Sequence, residues 1–219
     1  MEVLLRVKVG VGASSGEKFP AVSLLDWYEL QEEVVIVMER PVPCDTLFNH
    51  IYNNAGPLEE EFAKEMMKQL VDASLNMLSN GVFHCDIKAE NLLIETSSNG
   101  LRLRILDFGC SCIMQDEPYT HFCGTKMFSP PEVLIHKKYE AAPTTVWQLD
   151  VLLYEMLHAK QAFTTSKFLL GSISFSSELS PDCRNFLDLC LTASPKEHRT
   201  LEQIQLHPWL QNSGATPPD

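Results

Sequence analysis

The chain has 219 residues, room for one domain or for two small lobes around a shared cleft. With 45% of residues apolar and 21% charged, a substantial core can form and wholesale disorder is excluded. The balance of 17 basic against 29 acidic residues, net −12, argues against a nucleic-acid binder, which carries a basic face; it serves solubility and suits a basic peptide partner.

The opening "MEVLLRVKVGVG" has Glu2, Arg6 and Lys8 interrupting its apolar run, which makes a poor signal peptide. No run of about eighteen apolar residues follows, so no membrane span is expected. "GVGASSG", residues 10–16, has three glycines spaced G-x-G-x-x-x-G, a decoy for a phosphate loop. "SLLDWYELQEEVVIVMERP" predicts two strands joined by an acidic turn, with "VVIVM" β-branched and short as a buried strand is. "RPVPCD" then ends the strand with two prolines. "TLFNHIYNNAG" predicts a short helix stopped by Asn54 and Gly56. "PLEEEFAKEMMKQLVDASLNMLSNG" predicts a long amphipathic helix with Pro57 in its first turn and Gly81 at its end. Its face recurs every four residues at Leu58, Phe62, Met66, Leu70, Ser74 and Leu78.

The middle reads as strands, "GVFH", "NLLIE" and "LRLRILDF", with "TSSNG" as the turn between the last two. Residues 111–131 are irregular. Helices follow at "TTVWQLDVLLYEMLHA", "SPDCRNFLDLCL" and "TLEQIQLHPWL", then a tail, "QNSGATPPD". Seven cysteines, an odd count with no C-x-x-C pair, fit neither a disulfide framework nor a zinc site. They point to a reducing compartment, cytosol or nucleus.

The chemistry concentrates in "HCDIKAEN" and "LDFG". Asn91 precedes one strand and Asp107 follows the next. An antiparallel hairpin between them would set an amide oxygen and a carboxylate side by side, next to Asp86. Hard oxygen ligands at one point suit Mg²⁺, and Mg²⁺ carries nucleotide phosphates. Asp107-Phe108-Gly109 is a D-F-G motif, and His84, Asp86 and Asn91 satisfy H-R-D-x-x-x-x-N except that Cys85 stands in place of Arg. In that scheme Asp86 accepts the proton of an incoming hydroxyl and Lys88 steadies the transferred phosphate.

Together with "GTKMFSPPEV" at 124–133, these motifs resemble the eukaryotic protein kinases over about residues 22–210. "LLDWYELQEEVVIVMERPVPCDTLFNHI", "YTHFCGTKMFSPPE" and "HPWL" are similar to the Pim family of serine/threonine kinases. The resemblance implies a two-lobe α+β fold with a truncated, β-rich small lobe (1–38), a hinge (39–43), a mostly helical large lobe (44–210) and a tail (211–219). It implies ATP and Mg²⁺, and transfer of the γ-phosphate to Ser or Thr of protein substrates near basic residues, by a monomer. Met38 would be the gatekeeper and the Glu39 carbonyl an adenine acceptor. Pro41 has no N–H to give adenine; Leu93 would floor the site and Leu106 line it. Glu90 would read a basic substrate residue, Thr125 would face Asp86, and Glu132 would anchor the segment.

The sequence departs from the family at several points. Cys85 cannot pair with a phosphate on Tyr119 or Thr120, and it is either a buried inert thiol or a redox-sensitive one. Before the hinge, no glycine loop, strand Lys and helix Glu are found in order, and only 38 residues precede Glu39. "VLLRVKV" would be the end of the regulatory helix, and Lys8 is a decoy for the strand Lys. Those gaps leave open a pseudokinase or an interaction module. Asp150 would be a costly buried carboxylate, and "PKEHRT" puts His198 where an Arg would pair with Glu132.

Overall fold

A computed structural model describes residues 1–11, 20–97, 100–158, 162–194 and 196–211. The elements run helix α1 (Glu2–Val11), strands β1 (Leu24–Glu29), β2 (Val34–Met38) and β3 (Cys44–Thr46), then helices α2 (Leu47–Asn53) and α3 (Glu60–Ser79). Strands β4 (Val82–Phe83), β5 (Leu92–Ser97), β6 (Gly100–Ile105) and β7 (Cys112–Ile113) follow. Helices α4 (Pro131–His136), α5 (Ala141–His158), α6 (Thr165–Leu169), α7 (Pro181–Cys190), α8 (Leu201–Gln205) and α9 (Pro208–Gln211) complete the order. A strand-rich piece thus precedes a helical one, the expected α+β arrangement. Most of the expected "GVGASSG" loop, part of the "TSSNG" turn and nearly all of the tail lie outside the described residues.

Helix α5 is the spine of the helical piece. It is buried almost all round, as a helix apolar on every face must be, and packs on α3, whose buried side carries Met66, Leu70 and Met77. Helix α3 begins at Glu60, not near Pro57: the Leu58 N–H is spent on the Met156 carbonyl, which holds the chain extended before the first turn. Its C-terminus closes on Asn80 and a left-handed Gly81 (φ 65°), as the sequence predicts. The β5–β6 hairpin pairs antiparallel from Leu92 with Ile105 to Ser97 with Gly100, and β3 joins it on the outer side of β5.

Strands β1 and β2 pair as expected, Trp27 opposite Ile36. The expectation that "VVIVM" is buried fails. Val34 is 53% exposed and Trp27 51%, and apolar side chains are exposed on both faces of the ribbon. Two strands alone bury little, and among the described residues the hydrogen bonds that tie this ribbon to the rest gather at one end. There, the Glu39 N–H donates to the Ser23 carbonyl, the Val22 N–H donates to the Ile105 carbonyl, and the Ile105 N–H donates to Pro20. Lys8 lies on helix α1, which bears out its reading as a decoy for a strand lysine.

Candidate functional site

The catalytic-loop residues stand between β4 and β5, braced from below by α5. Gln148 donates from Nε2 to the Cys85 carbonyl at 2.6 Å and accepts the Ile87 N–H at 3.3 Å. Its amide therefore spans the loop, a role that an amide within an otherwise mostly apolar helix does not announce. Cys85 sits in the left-handed region (φ 68°), which costs a non-glycine residue on the order of 1–2 kcal/mol and turns the chain sharply into Asp86.

Asp86 collects the groups expected around it. The Thr125 N–H donates to its Oδ1 at 2.7 Å. Lys88 Nζ stands 3.0 Å from Oδ2 and also donates to the Thr125 hydroxyl at 2.8 Å. Asn91 Nδ2 donates to the Asp86 carbonyl at 2.9 Å and to Oδ2 at 3.3 Å. Burial pushes the Asp86 carboxyl up, but the hydrogen bonds from Thr125 and Lys88 outweigh it and hold the group below its ordinary range. Asp86 is thus an ionised acceptor with its lone pairs aimed at the place where Thr125 arrives. Gly124 makes that approach possible: a Cβ there would stand 2.3 Å from the Cys85 carbonyl oxygen.

The hairpin brings the metal candidates together as the sequence predicts. The Leu106 N–H donates to the Asn91 carbonyl at 2.9 Å, so Asn91 and the residue before Asp107 are backbone neighbours. With Asn91 Nδ2 committed to Asp86, its Oδ1 is the atom open to a cation. Asp107 is exposed and accepts the Gly109 N–H on Oδ1 at 2.7 Å, which leaves Oδ2. Gly109 has no Cβ to crowd that carboxylate; one would lie 3.0 Å from Oδ1. One amide oxygen and one carboxylate fit Mg²⁺, which completes its shell with water and phosphate oxygens and does not need an all-protein cage. Among the described residues no group of three or more His, Cys, Asp or Glu could hold a metal by itself. His84 is buried against the edge of Phe108, 5.1 Å between ring centres, and burial pushes it down to about 4, so it is neutral. Its Nδ1 faces the Asp86 N–H at 3.3 Å.

The remaining expected residues have mixed surroundings. Met38 ends β2 and Glu39 follows it, Pro41 is buried, and Leu93 pairs with Thr46 just beyond the hinge segment. Leu106 is half-buried. The Glu39 N–H is used within the ribbon, while its carboxylate accepts Ser23 and pairs with Arg104. Arg104, unremarked in the sequence, also reaches Glu95 at 3.0 Å and the Ala21 carbonyl at 2.9 Å, tying the hinge to the β5–β6 sheet. Glu90 is exposed, and Glu155 on α5, a second residue the sequence did not single out, lies within its electrostatic reach. Burial first, then Glu90, pushes Glu155 up to about 7.

Cys85 is buried among Phe83, Tyr139 and Phe122, with its Sγ 4.0 Å from the Tyr139 hydroxyl, and burial pushes its thiol up to about 12. The redox-sensitive alternative finds no footing there, since a thiol that stays protonated is a poor nucleophile. Glu132 is buried, and among the described residues neither carboxylate oxygen has a hydrogen-bond partner; burial raises its pKa. His198 instead gives or takes a bond at the Thr192 carbonyl and stacks on Trp147, and Arg199 is exposed. Among the described residues neither His198 nor Arg199 pairs with Glu132, in keeping with the doubt that the His198 replacement casts on that salt bridge.

Comparisons with known proteins identify the family. The protein kinase domain family matches residues 18–210. The chain is 37% identical to the zebrafish (Danio rerio) serine/threonine-protein kinase pim-2, over 98% of this chain and 69% of that protein. It is 34% identical to serine/threonine-protein kinase prk-2 of Caenorhabditis elegans, covering 87% of this chain and 44% of the relative. It is 33% identical to mouse (Mus musculus) sperm motility kinase 2B, covering 90% and 42%. The chain thus spans less than half the length of the latter two. These comparisons give no support to the alternative of a pseudokinase or interaction module. Among the described residues no helix is long and apolar enough to cross a membrane.

Proposed function

Since the chain belongs to the protein kinase domain family, we propose that it transfers the γ-phosphoryl group of ATP to serine or threonine hydroxyls of protein substrates. The observation that carries this reading is the Asp86 carboxylate, held ionised by the Thr125 N–H and Lys88 beside the Asn91–Asp107 pair. The likeness to kinases named as acting on serine and threonine supports the hydroxyl acceptor. Glu90 with Glu155 supports a basic residue near the target.

The division of labour follows from the contacts. Asp86 accepts the proton of the attacking hydroxyl; its hydrogen bond from Thr125 fixes the carboxylate plane, so no reorganisation is needed when the proton moves. Lys88 supplies positive charge at the same place, between Asp86 and the Thr125 hydroxyl, where a transferring phosphoryl group would sit. Asn91 Oδ1 and Asp107 Oδ2 would hold Mg²⁺, which when bound neutralises charge on the nucleotide phosphates. Met38, the Glu39 carbonyl, Pro41, Leu93 and Leu106 would take the adenine, with Pro41 withholding a donor. The protein acts as a monomer in the cytosol or nucleus.

A thermal-shift titration of the 219-residue chain with ATP tests the nucleotide site, because a ligand of the folded form must raise the melting temperature. The rise should require Mg²⁺ and vanish in Asp107→Asn. Asp86→Asn should keep both the fold and the rise but lose phosphotransfer; equal transfer by that variant would remove Asp86 from the role of base.

A further inference from the structure

The buried guanidinium of Arg6 is not used by the site described so far. Its side chain is 3% exposed. Nε and Nη2 donate to Glu2 Oε1 at 3.0 and 2.8 Å, Nη1 donates to the Val22 carbonyl at 3.3 Å, and Nη2 also donates to the Leu106 carbonyl. The guanidinium carbon lies 5.0 Å from the centre of the Phe108 ring. Leu106 and Phe108 are the two neighbours of Asp107. One cation from α1 therefore grips the D-F-G segment on both sides of its carboxylate and touches none of the catalytic groups.

We propose that Arg6 is the positioning residue of the metal-binding segment: it fixes the peptide before Asp107 and the ring after it, so that Asp107 faces Asn91. This rests on Asp107 being a metal ligand. The chemistry favours a specific role over filling. Desolvating a guanidinium costs several kcal/mol unless its donors are met, and an aliphatic side chain would fill the same space without that cost. Only arginine combines a planar fork, able to serve a carboxylate and two carbonyls at once, with a flat face that stacks on an aromatic ring. Glu2, one turn earlier on α1, neutralises the charge without drawing it off the segment. Arg6 thus links α1 to both residues that flank Asp107.

The test uses Arg6→Leu, which keeps apolar bulk, and Arg6→Lys, which keeps charge without the fork or the stacking face. Amide hydrogen exchange is read without ligand, and Mg²⁺-dependent ATP binding is read separately. In Arg6→Leu, exchange at residues 107–109 should rise about tenfold or more, the loss expected when hydrogen bonds to a charged group disappear. Amides of α3 and α5 should keep their protection. The Mg²⁺ concentration needed for half-maximal ATP binding should rise by a similar factor, with Arg6→Lys between the two. Unchanged exchange at 107–109, or loss of protection throughout the helices, would overturn the clamp and leave Arg6 a core residue. Raised local exchange with unchanged Mg²⁺ dependence would overturn its positioning role. If the parent chain shows no Mg²⁺-dependent binding, the nucleotide-site reading fails, and the exchange arm still decides whether Arg6 holds the segment.

Discussion

Replacing Asp150 should make the protein more stable, and increasingly so as pH rises. Asp150 lies on α5 at 0% exposure, and neither carboxylate oxygen has a hydrogen-bond partner among the described residues; its neighbour is the Cys190 thiol. Burial raises its pKa well above the ordinary carboxylate range. The folded state therefore holds a proton that the unfolded state releases once pH exceeds that range. The sign is fixed by linkage: Asp150 favours the folded state most at low pH, and this advantage is lost as pH rises toward its folded value. Each pH unit in that window costs the folded protein about 1.4 kcal/mol. Asp150→Ala removes that cost. It also removes an unsatisfied buried polar group, worth about 1–3 kcal/mol, and gains about 0.5 kcal/mol of helix propensity. Against this stands a small cavity, about 0.5 kcal/mol for roughly 20 Å³ at the measured cost per volume. The balance is a gain of about 1–3 kcal/mol near the ordinary carboxylate range, growing by about 1.4 kcal/mol per pH unit above it. In a chain of 219 residues each kcal/mol raises the melting temperature by about 2–4 °C.

Urea unfolding followed by tryptophan fluorescence reads this directly, since Trp147 lies on the same helix. Asp150→Asn, which keeps the volume but cannot ionise, should show the same pH slope without the cavity. A parent more stable than both variants at neutral pH, or a stability difference flat with pH, would refute the reasoning. Either result would mean that Asp150 is ionised and paired.

Gly124→Ala should lower kcat by about tenfold or more, because a Cβ at 2.3 Å from the Cys85 carbonyl forces the Thr125 N–H off Asp86, a hydrogen bond to a charged group; steady-state kinetics with unchanged helix content would check this. Glu155 gives a pH signature. Its folded value of about 7 lies above the ordinary carboxylate range, so the stability it confers is full below that range and lost as pH rises through about 7. Its charge, and any hold on a basic substrate residue, appears over the same window. KM for a basic peptide should fall as pH rises through about 7, and Glu155→Gln should flatten both the KM profile and its share of the stability profile.

What could be read in advance divides along sequence separation. Asp86, Lys88 and Asn91 are set by one short loop, and Asp107 is brought to them by a hairpin whose register follows from alternation in two adjacent strands. Local rules suffice there. Arg6 meets Leu106 across 100 residues, Arg104 meets Glu39 across 65, and Gln148 meets Cys85 across 63. No periodicity encodes such pairs, and each looked like an ordinary charge or amide. The exposure of β2 is not legible for a related reason: a β-branched run states that a strand will form, while its burial depends on what else covers the sheet.

Gln148 and Asp150 sharpen the point, because they stand two residues apart on one apolar helix and look alike as sequence. Gln148 is buried and has both amide atoms satisfied by the catalytic loop; Asp150 is buried beside the Cys190 thiol, and among the described residues neither of its oxygens has a hydrogen-bond partner. A buried polar group with partners holds a geometry, and one without partners only costs stability. On that ground Gln148 belongs to the machinery that presents Asp86 and Asp150 does not. Arg6 falls on the same side as Gln148: its guanidinium is buried, its donors are met, and its acceptors lie against the residues that flank Asp107.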